Sequence, residues 1–289
     1  MAVKTWRKPN PHKPNFGHGE YTVPATRFFD QLSFIGNNIV GCFVLETSEG
    51  FILIDCMEPY DTHRDLIVKG IADLGLELKD LKAILITHGH GDHYGTADWF
   101  REQTGCKIYM SEVDYNFART DKRNRTGVLK WEVYDFLDDG DVFELGDTKV
   151  YAFKTPGHTR GCLSFIFRVT DEGREHWVEM WGGSGLPYSM SDKVLYMESC
   201  VKFARITESF GCDVEISSHP FIDNSLERLT VIRGIFDGVA NPFVIGRDAC
   251  ARFEDMFTQM CVAGMKKQAA EADKLLPPQP DRLPPRTGK

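Results

Sequence analysis

The feature that most constrains this chain is a loop of polar, metal-binding residue types placed directly after a buried strand. The apolar run Ala83-Ile84-Leu85-Ile86 leads straight into Thr87-His88-Gly89-His90-Gly91-Asp92-His93-Tyr94-Gly95. Each of these polar groups would cost several kcal/mol if it were buried without a partner, so they are hard to explain as packing. The sequence therefore predicts a metal site in the loop that ends this strand.

The spacing within the loop favours two metal ions. In extended backbone the side chains of His88 and His90 point the same way, while Asp92 and His93 turn towards a point further along. The glycines at 89, 91 and 95 allow the backbone to bend tightly enough for the ligands to converge. The alternative is a histidine-rich surface turn, which we disfavour because such turns seldom follow a buried strand with ligands at this spacing.

Two further histidines occupy similar places in the chain. His158 lies in the glycine-rich turn from Thr155 to Gly161, between two predicted strands, and His219 follows another predicted strand. Taken alone, each is more often a hydrogen-bonded structural histidine than a ligand. Together with the first loop they give five histidines and one aspartate, which is enough for two zinc ions.

The order of predicted elements indicates how the chain is organised. Residues 28–55 predict antiparallel strands, followed by a helix and the strand before the histidine loop. A polar stretch over 111–138 predicts irregular structure, after which strands and helices resume; this order predicts two sheets packed face to face with helices outside. We expect an N-terminal arm over 1–27, one domain over 28–268 and a proline-rich disordered tail over 269–289.

Composition and charge exclude some partners. The net charge of −8 argues against a nucleic-acid partner, because such binding depends on clustered Lys and Arg. No stretch approaches the length of a membrane span, so we expect no membrane association. The sequence as given shows no export signal, and its eight cysteines lack any CxxC spacing, so we expect a cytoplasmic location and no cysteine-based zinc site.

With these motifs in place, the chain resembles the metallo-β-lactamase superfamily over roughly residues 28–265. The HxHxDH motif, the TPGHT turn and the terminal histidine occur in the family's order. The resemblance implies an α/β fold (α+β by some schemes), a four-layer αββα sandwich of two mixed sheets. It also implies a first metal on His88, His90 and His158. The second metal would lie on Asp92, His93 and His219.

The resemblance also indicates a subclass. Glyoxalase II-like thioesterases and acyl-homoserine lactonases carry an aspartate that bridges both metals, in a Gly-Asp motif after the strand that follows the TPGHT turn. The matching stretch here, 181–187, has Gly183 and Ser184 and no carboxylate. A β-lactamase subclass with only His and Asp ligands also lacks the bridging residue, and its last ligand has surroundings similar to residues 212–220.

Two departures from that subclass bear on the substrate. Its serine position is Gly183 here, and no second serine follows to hold a substrate carboxylate. The usual glycine pair after the Asp55 strand is Cys56-Met57, which we expect to crowd the mouth of the pocket.

The resemblance implies a dizinc hydrolase in which a metal-bridging hydroxide opens a cyclic amide of β-lactam type, with Asp92 orienting that hydroxide. The substrate would be a small molecule with a hydrolysable carbonyl. One alternative is a lactone or thioester hydrolase on the same site, and another is an iron-dependent redox enzyme of the same fold. Asp55 is a candidate to hydrogen-bond a ligand ring or the loop backbone.

Three further expectations concern the pocket and the cysteines. We expect pocket walls from the Ile35–Asn38 turn, residues 111–135, Tyr188 and Phe221. Exported members of the β-lactamase subclass can carry a disulfide at places similar to Cys212 and Cys250. Such a bond would indicate a periplasmic or secreted protein, and the alternative is two buried free thiols.

Overall fold

A computed structural model describes residues 21–120, 135–234 and 240–275, with side chains up to residue 272. Within them the first sheet has seven strands, an antiparallel meander of four followed by three parallel additions. In order across the sheet these are β1 (Thr22–Phe29), β2 (Leu32–Asn37), β3 (Gly41–Thr47), β4 (Gly50–Ile54), β5 (Leu81–Leu85), β6 (Lys107–Met110) and β7 (Asp135–Phe136).

The second sheet contains the remaining five strands, in the order β12-β11-β10-β9-β8. They are β8 (Val142–Leu145), β9 (Thr148–Lys154), β10 (Leu163–Asp171), β11 (Arg174–Met180) and β12 (Val214–Ile216). All neighbours are antiparallel except β11 and β12, which are parallel. Both sheets are therefore mixed, as predicted.

Most of the described helices cover the outer faces of the two sheets, whereas the helix of Leu229 contributes to the core between them. The helices are α1 (Asp61–Asp73), the single turn α2 (Gly91–Tyr94), α3 (Ala97–Thr104), α4 (Glu112–Thr120), α5 (Met190–Phe210), α6 (Ser225–Gly234) and α7 (Arg247–Leu275). A short 3-10 turn, Leu78–Asp80, precedes β5.

Side-chain alternation along the strands divides the core into layers. On β4, Ile52 and Ile54 face the second sheet, while Leu53 faces α1 and α3 on the other side. On β10, Phe165 faces the first sheet and Ile166 faces α5 and α7. Because both faces of each sheet are covered, central strands such as β2 and β4 are buried along nearly their whole length. The molecule is the predicted four-layer αββα sandwich.

The sheet begins earlier than the sequence indicated. Residues 22–27, predicted as part of an arm, belong to β1, and residues 1–20 lie outside the described chain. Pro24 made this segment look like a loop, but β1 is the edge strand of its sheet, where a missing N–H is tolerated.

Two helical segments also correct the prediction. Residues 112–120, predicted as irregular, form α4, which buries Asp114, Tyr115 and Ala118 and leaves most of its other polar residues exposed. Residues 269–275, predicted as disordered tail, continue α7. That segment contains helix-forming alanines, and the first proline follows at Pro277, so nothing in it ends the helix. The rest of the predicted tail lies outside the described residues.

All eight cysteines belong to the described residues, and each is a buried free thiol, Cys212 and Cys250 included. No helix in the described ranges combines the length and apolarity needed to cross a bilayer.

Candidate metal centre

The six predicted ligands meet at one edge of the sandwich, on loops that follow strands of both sheets. His88 and His90 follow β5, Asp92 and His93 lie on α2, His158 lies between β9 and β10, and His219 follows β12. A hydrogen bond from the Leu163 amide to the Thr87 carbonyl, at 2.8 Å, joins two of these loops. Residues far apart in sequence are thereby brought into two groups of three.

The first triad consists of His88, His90 and His158. The distances are 3.1 Å from His88 Nε2 to His90 Nδ1, 3.0 Å from His90 Nδ1 to His158 Nε2, and 3.1 Å from His158 Nε2 to His88 Nε2. Nitrogen ligands of a tetrahedral zinc, each about 2.0–2.1 Å from the ion, lie about 3.3–3.4 Å apart. The triangle of nitrogens is close to that spacing, so the residues present suit zinc.

The second triad consists of Asp92, His93 and His219. The Nε2 atoms of His93 and His219 are 3.3 Å apart, and they lie 3.6 and 3.7 Å from Asp92 Oδ2. Two imidazoles and one carboxylate leave a zinc ion positions for water or substrate.

The far side of three ligand rings is held by an acceptor. Nδ1 of His158 lies 2.6 Å from the Gly185 carbonyl oxygen, and Nδ1 of His219 lies 2.8 Å from that of Ile39. Nδ1 of His93 lies 2.7 Å from Asp55 Oδ2. Each acceptor places the ring proton on Nδ1 and leaves the Nε2 lone pair directed into the triad, as in metal-binding histidines generally.

Asp55 makes the predicted hydrogen bonds to a ligand ring and to the backbone of the histidine loop, and it also contacts the loop after β12. Its buried carboxylate accepts hydrogen bonds from the Thr87 amide at 2.8 Å and the Ser218 hydroxyl at 2.6 Å, in addition to the His93 ring. Asp55 therefore joins the loop after β5 to the loop after β12.

The Cys56-Met57 pair does not crowd the pocket. Both side chains are fully buried on the helix side of the first sheet, in the cluster that contains Ile67 and Phe100. In this position the backbone of Met57 has a φ of 60°, in the left-handed region that glycine adopts more readily. The prediction was wrong because it assumed that side chains at this turn face the site.

The ligands differ in charge. Burial lowers the pKa of His88, and burial with the neighbouring His90 lowers the pKa of His158 to about 3, so both rings are neutral. Burial also disfavours charge on His93, but Asp92 and Asp55 raise its pKa to about 9. Burial opposes ionisation of Asp92, yet the surrounding histidines lower its pKa. A metal ion at the second triad must therefore displace the proton of His93.

A cavity of about 510 Å³ opens beside the first triad. His90 and His158 form its floor, and its walls include Val113, Phe117 and Tyr188, the last of which is 90% exposed. Residue Tyr188 and the 111–135 segment thus contribute walls as predicted, although residues 121–134 lie outside the described chain.

The other two predicted walls, the Ile35–Asn38 turn and Phe221, are not among the residues that line this cavity. Ile35 is fully buried and packs against Gly70 of α1, so the Ile35–Asn38 turn supports the sheet instead of lining this cavity. The Phe221 ring lies next to His219, with ring centroids 5.5 Å apart.

A buried carboxylate behind the first triad was not predicted. Asp114, on α4, accepts hydrogen bonds from the Gly89 amide at 2.8 Å, the Thr159 hydroxyl at 2.6 Å and the Gly161 amide at 2.8 Å. The available signal was Ser111 followed three residues later by an acidic residue, a pattern that marks helix starts. The Ser111 hydroxyl does accept the Asp114 amide, at 3.2 Å.

Comparison with solved structures supports the fold. The native FEZ-1 metallo-beta-lactamase of Legionella gormanii superposes with a TM-score of 0.75 at 25% identity, over 86% of this chain and 97% of that one. BJP-1, a subclass B3 metallo-beta-lactamase of Bradyrhizobium japonicum, has a TM-score of 0.73 at 24% identity, over 88% and 97% of the two chains.

Sequence comparison gives shorter matches. A probable polyketide biosynthesis zinc-dependent hydrolase of Bacillus subtilis, PksB, is 30% identical over 88 residues, 30% of this chain and 35% of PksB. An uncharacterized protein of Mycobacterium tuberculosis, Rv2581c, is 35% identical over 170 residues, 49% of this chain and 75% of that protein. The matches to four curated relatives cover only 33% to 45% of those proteins' lengths.

The family assignment follows from these matches together with the site. The sequence pattern of the metallo-beta-lactamase superfamily matches residues 35–171, which include the HxHxDH loop and the TPGHT turn. One of these relatives, PksB, is named as a probable zinc-dependent hydrolase. The chain belongs to the metallo-β-lactamase superfamily.

Proposed function

We propose that this chain is a dizinc hydrolase that opens a cyclic amide of β-lactam type. In this proposal the first triad and the second triad each hold one zinc ion. The observation that carries it is the convergence of two complete triads, with no carboxylate in the stretch where thioesterases and lactonases place their bridging aspartate.

The packing around His158 supports the absence of a bridging carboxylate. A Cβ atom at Gly183 would lie 2.6 Å from His158 Cβ, and one at Gly185 would lie 2.6 Å from His158 Cε1. Any side chain at either position would displace a ligand ring that the Gly185 carbonyl also holds. The glycines therefore serve the first triad, and a bridging residue or a substrate-binding serine does not suit this backbone.

When bound, the two zinc ions would supply a water acidified to hydroxide near neutral pH and a Lewis acid for the carbonyl oxygen. The side chains of the two triads would set the charge around each ion and the orientation of the water. The neutral rings of the first triad leave the charge of an ion there uncompensated, which favours contact with a carbonyl oxygen. The ionised, partly exposed Asp92 carboxylate can accept a hydrogen bond from the attacking water and orient it.

The cavity suits a small molecule with an apolar part. Its walls at Phe117, Leu186 and Tyr188 can cover apolar substrate surface, and Arg160, which pairs with Asp192 at the rim, is a cation within reach of an anionic group. This arrangement suits a β-lactam carboxylate in the absence of the second serine.

A second candidate, a lactone or thioester hydrolase, is favoured by one observation. Gly183 takes the serine position of the subclass, and no second serine follows to hold a carboxylate, so a substrate without a carboxylate would lose no contact here. The redox alternative is less favoured, because five imidazoles and one carboxylate suit zinc, whereas iron favours harder oxygen ligands.

The test is hydrolysis of a carbapenem and a chromogenic cephalosporin by the zinc-loaded protein, with Asp92→Asn as the blank. The proposal expects a kcat/KM of about 10⁴ M⁻¹s⁻¹ or more that the variant loses. A rate no greater than that of the variant would contradict β-lactam hydrolysis, and lactones and thioesters would then be tested in the same assay.

A further inference from the structure

Two different buried carboxylates hold the loops of the two triads, and Asp55 also reaches the first triad through the Thr87 hydroxyl, which lies 2.9 Å from Asp55 Oδ2 and 3.1 Å from His88 Nδ1. Asp55 joins the Thr87 amide, the His93 ring and the Ser218 hydroxyl, which belong to the loops of the second triad and to the start of the histidine loop. The Asp114 carboxylate accepts hydrogen bonds from Gly89, Thr159 and Gly161, and within the described part of the chain neither His93 nor the loop of His219 is among its partners.

The partners of Asp114 flank the ligands of the first triad. Gly89 lies between His88 and His90, and Thr159 follows His158 directly. One carboxylate oxygen, Oδ2, accepts from both the Gly89 amide at 2.8 Å and the Thr159 hydroxyl at 2.6 Å. The two ligand loops of the first triad therefore meet at a single atom.

The glycines on either side of Asp114 show how closely the loops approach α4. A Cβ atom at Gly89 would lie 2.7 Å from the Asp114 carbonyl oxygen and 2.9 Å from Phe117 Cδ1. A Cβ atom at Gly161 would lie 2.7 Å from Asp114 Oδ1. Both loops reach the carboxylate only because neither carries a side chain at the point of contact.

Asp114 is 1% exposed, so its contacts are shielded from water. Two amides and one hydroxyl are directed at it, and all three would lose their acceptor if the carboxylate were removed. An unsatisfied buried donor is costly, so the loops would move apart rather than remain in place.

We propose that Asp114 is the positioning residue of the first triad: it sets the separation of the His88–His90 loop from His158 and so governs zinc affinity at that triad alone. This inference rests on the proposed metal centre but not on the substrate.

The test compares zinc affinity in two variants of the full chain that each keep one triad, measured by competition with a chromophoric chelator. His219→Ala leaves the first triad complete, and His158→Ala leaves the second complete. Adding Asp114→Asn, which has the same shape but one fewer acceptor, should weaken zinc binding about tenfold or more in the His219→Ala chain. The same change should leave the affinity of the His158→Ala chain unaltered.

Two further variants distinguish a local effect on the first triad from a general loss of folding. Thr159→Val keeps the carboxylate and both amide contacts, so it should weaken the first triad less than Asp114→Asn does and in the same background only. Glu112→Gln removes an exposed charge from the same helix and should change neither affinity.

Equal losses in both backgrounds, or no loss in the His219→Ala chain, would overturn the role of Asp114. Because hydrolysis is not measured, failure of the proposed substrate leaves this result unaffected. A parent chain that binds zinc at neither triad would overturn the proposed metal centre itself.

Discussion

At the residue scale, the site depends on positions where the backbone leaves little choice of side chain. Gly183 and Gly185 lie against the ring of His158, and Asp55 and Met57 adopt φ values of 61° and 60°. Left-handed backbone costs a non-glycine residue about 1 kcal/mol or more. Asp55 recovers this cost through its hydrogen bonds, and Met57 through burial in the core.

Serine at Gly183 should destabilise the protein and weaken zinc binding. Its Cβ would lie 2.6 Å from His158 Cβ, and that ring cannot retreat without losing the Gly185 carbonyl. We expect Gly183→Ser to lower the free energy of unfolding by about 1–3 kcal/mol in a urea titration. Gly234→Ser is the control, because a Cβ there meets nothing within 4 Å; equal stability of the two variants would refute the clash.

Position 57 separates backbone strain from side-chain burial. Met57→Ala loses the buried side chain and keeps the strain, at a cost of about 2–5 kcal/mol. Met57→Gly loses the same contacts but relieves the backbone, so it should be the more stable of the two variants by about 1 kcal/mol. Urea unfolding of both variants measures the difference, and an alanine variant that is the more stable would show that φ at 57 carries no strain.

At the element scale, α7 packs on the second sheet over a group of buried carboxyl groups. Glu254 lies on α7, and Glu179 and Glu215 lie on β11 and β12. Burial raises the pKa of Glu179 to about 7, and burial together with the charge of Glu179 raises that of Glu254 to about 9. The docking of α7 is therefore sensitive to pH.

The sign of that dependence follows from proton binding. Between the ordinary glutamate pKa, about 4.5, and about 9, the folded chain retains a proton on Glu254 that the unfolded chain releases. Stability therefore falls as pH rises through this range. Glu254→Gln cannot ionise, so its stability relative to the parent should increase by about 1 kcal/mol or more from pH 5.5 to pH 8.5.

The control for this effect is Glu271→Gln, an exposed position on the same helix. Unfolding free energies at both pH values measure both variants. A difference between Glu254→Gln and the parent that stays constant with pH, or that shrinks, would show that Glu254 is ionised in the folded chain.

Elements with a clear apolar pattern in their own residues were predicted from the sequence. Elements whose conformation depends on their place in the fold were missed. The strand before the histidine loop, and the strands β9 and β10 on either side of His158, were predicted because their apolar runs end at clear turns. The start of β1, the helix α4 and the last turns of α7 were missed, because an edge strand tolerates Pro24 and a helix on the surface can be largely polar.

The residues of the site show the same difference between those in local motifs and those placed by the fold. The six ligand residues form conspicuous polar motifs after strands, and the structure brings them into two triads. The pattern from Ser111 to Asp114 marks a helix start but does not indicate the contacts of Asp114, because its carboxylate binds two backbone amides and a hydroxyl that lie 25, 45 and 47 residues away in the chain. Only the fold brings these groups together.

At the scale of the whole molecule, the two triads connect the two sheets. Each triad takes ligands from loops of both sheets, so metal ions bound there would cross-link the halves of the sandwich. Removing zinc with a chelator should therefore lower the thermal midpoint. At a free zinc concentration of 100 times Kd, one site contributes about 2.7 kcal/mol.

Differential scanning calorimetry with and without the chelator measures that contribution. The double variant His158→Ala with His219→Ala should unfold at the same temperature under both conditions. A parent protein that is equally stable with and without zinc would contradict the cross-link between the sheets.

The measurement that tests the central claim most directly is the metal content of the purified chain, determined by inductively coupled plasma mass spectrometry. The account predicts two zinc ions per chain in the parent and one in either His158→Ala or His219→Ala. A single ion in the parent, or iron in place of zinc, would contradict a dizinc centre built from the two triads.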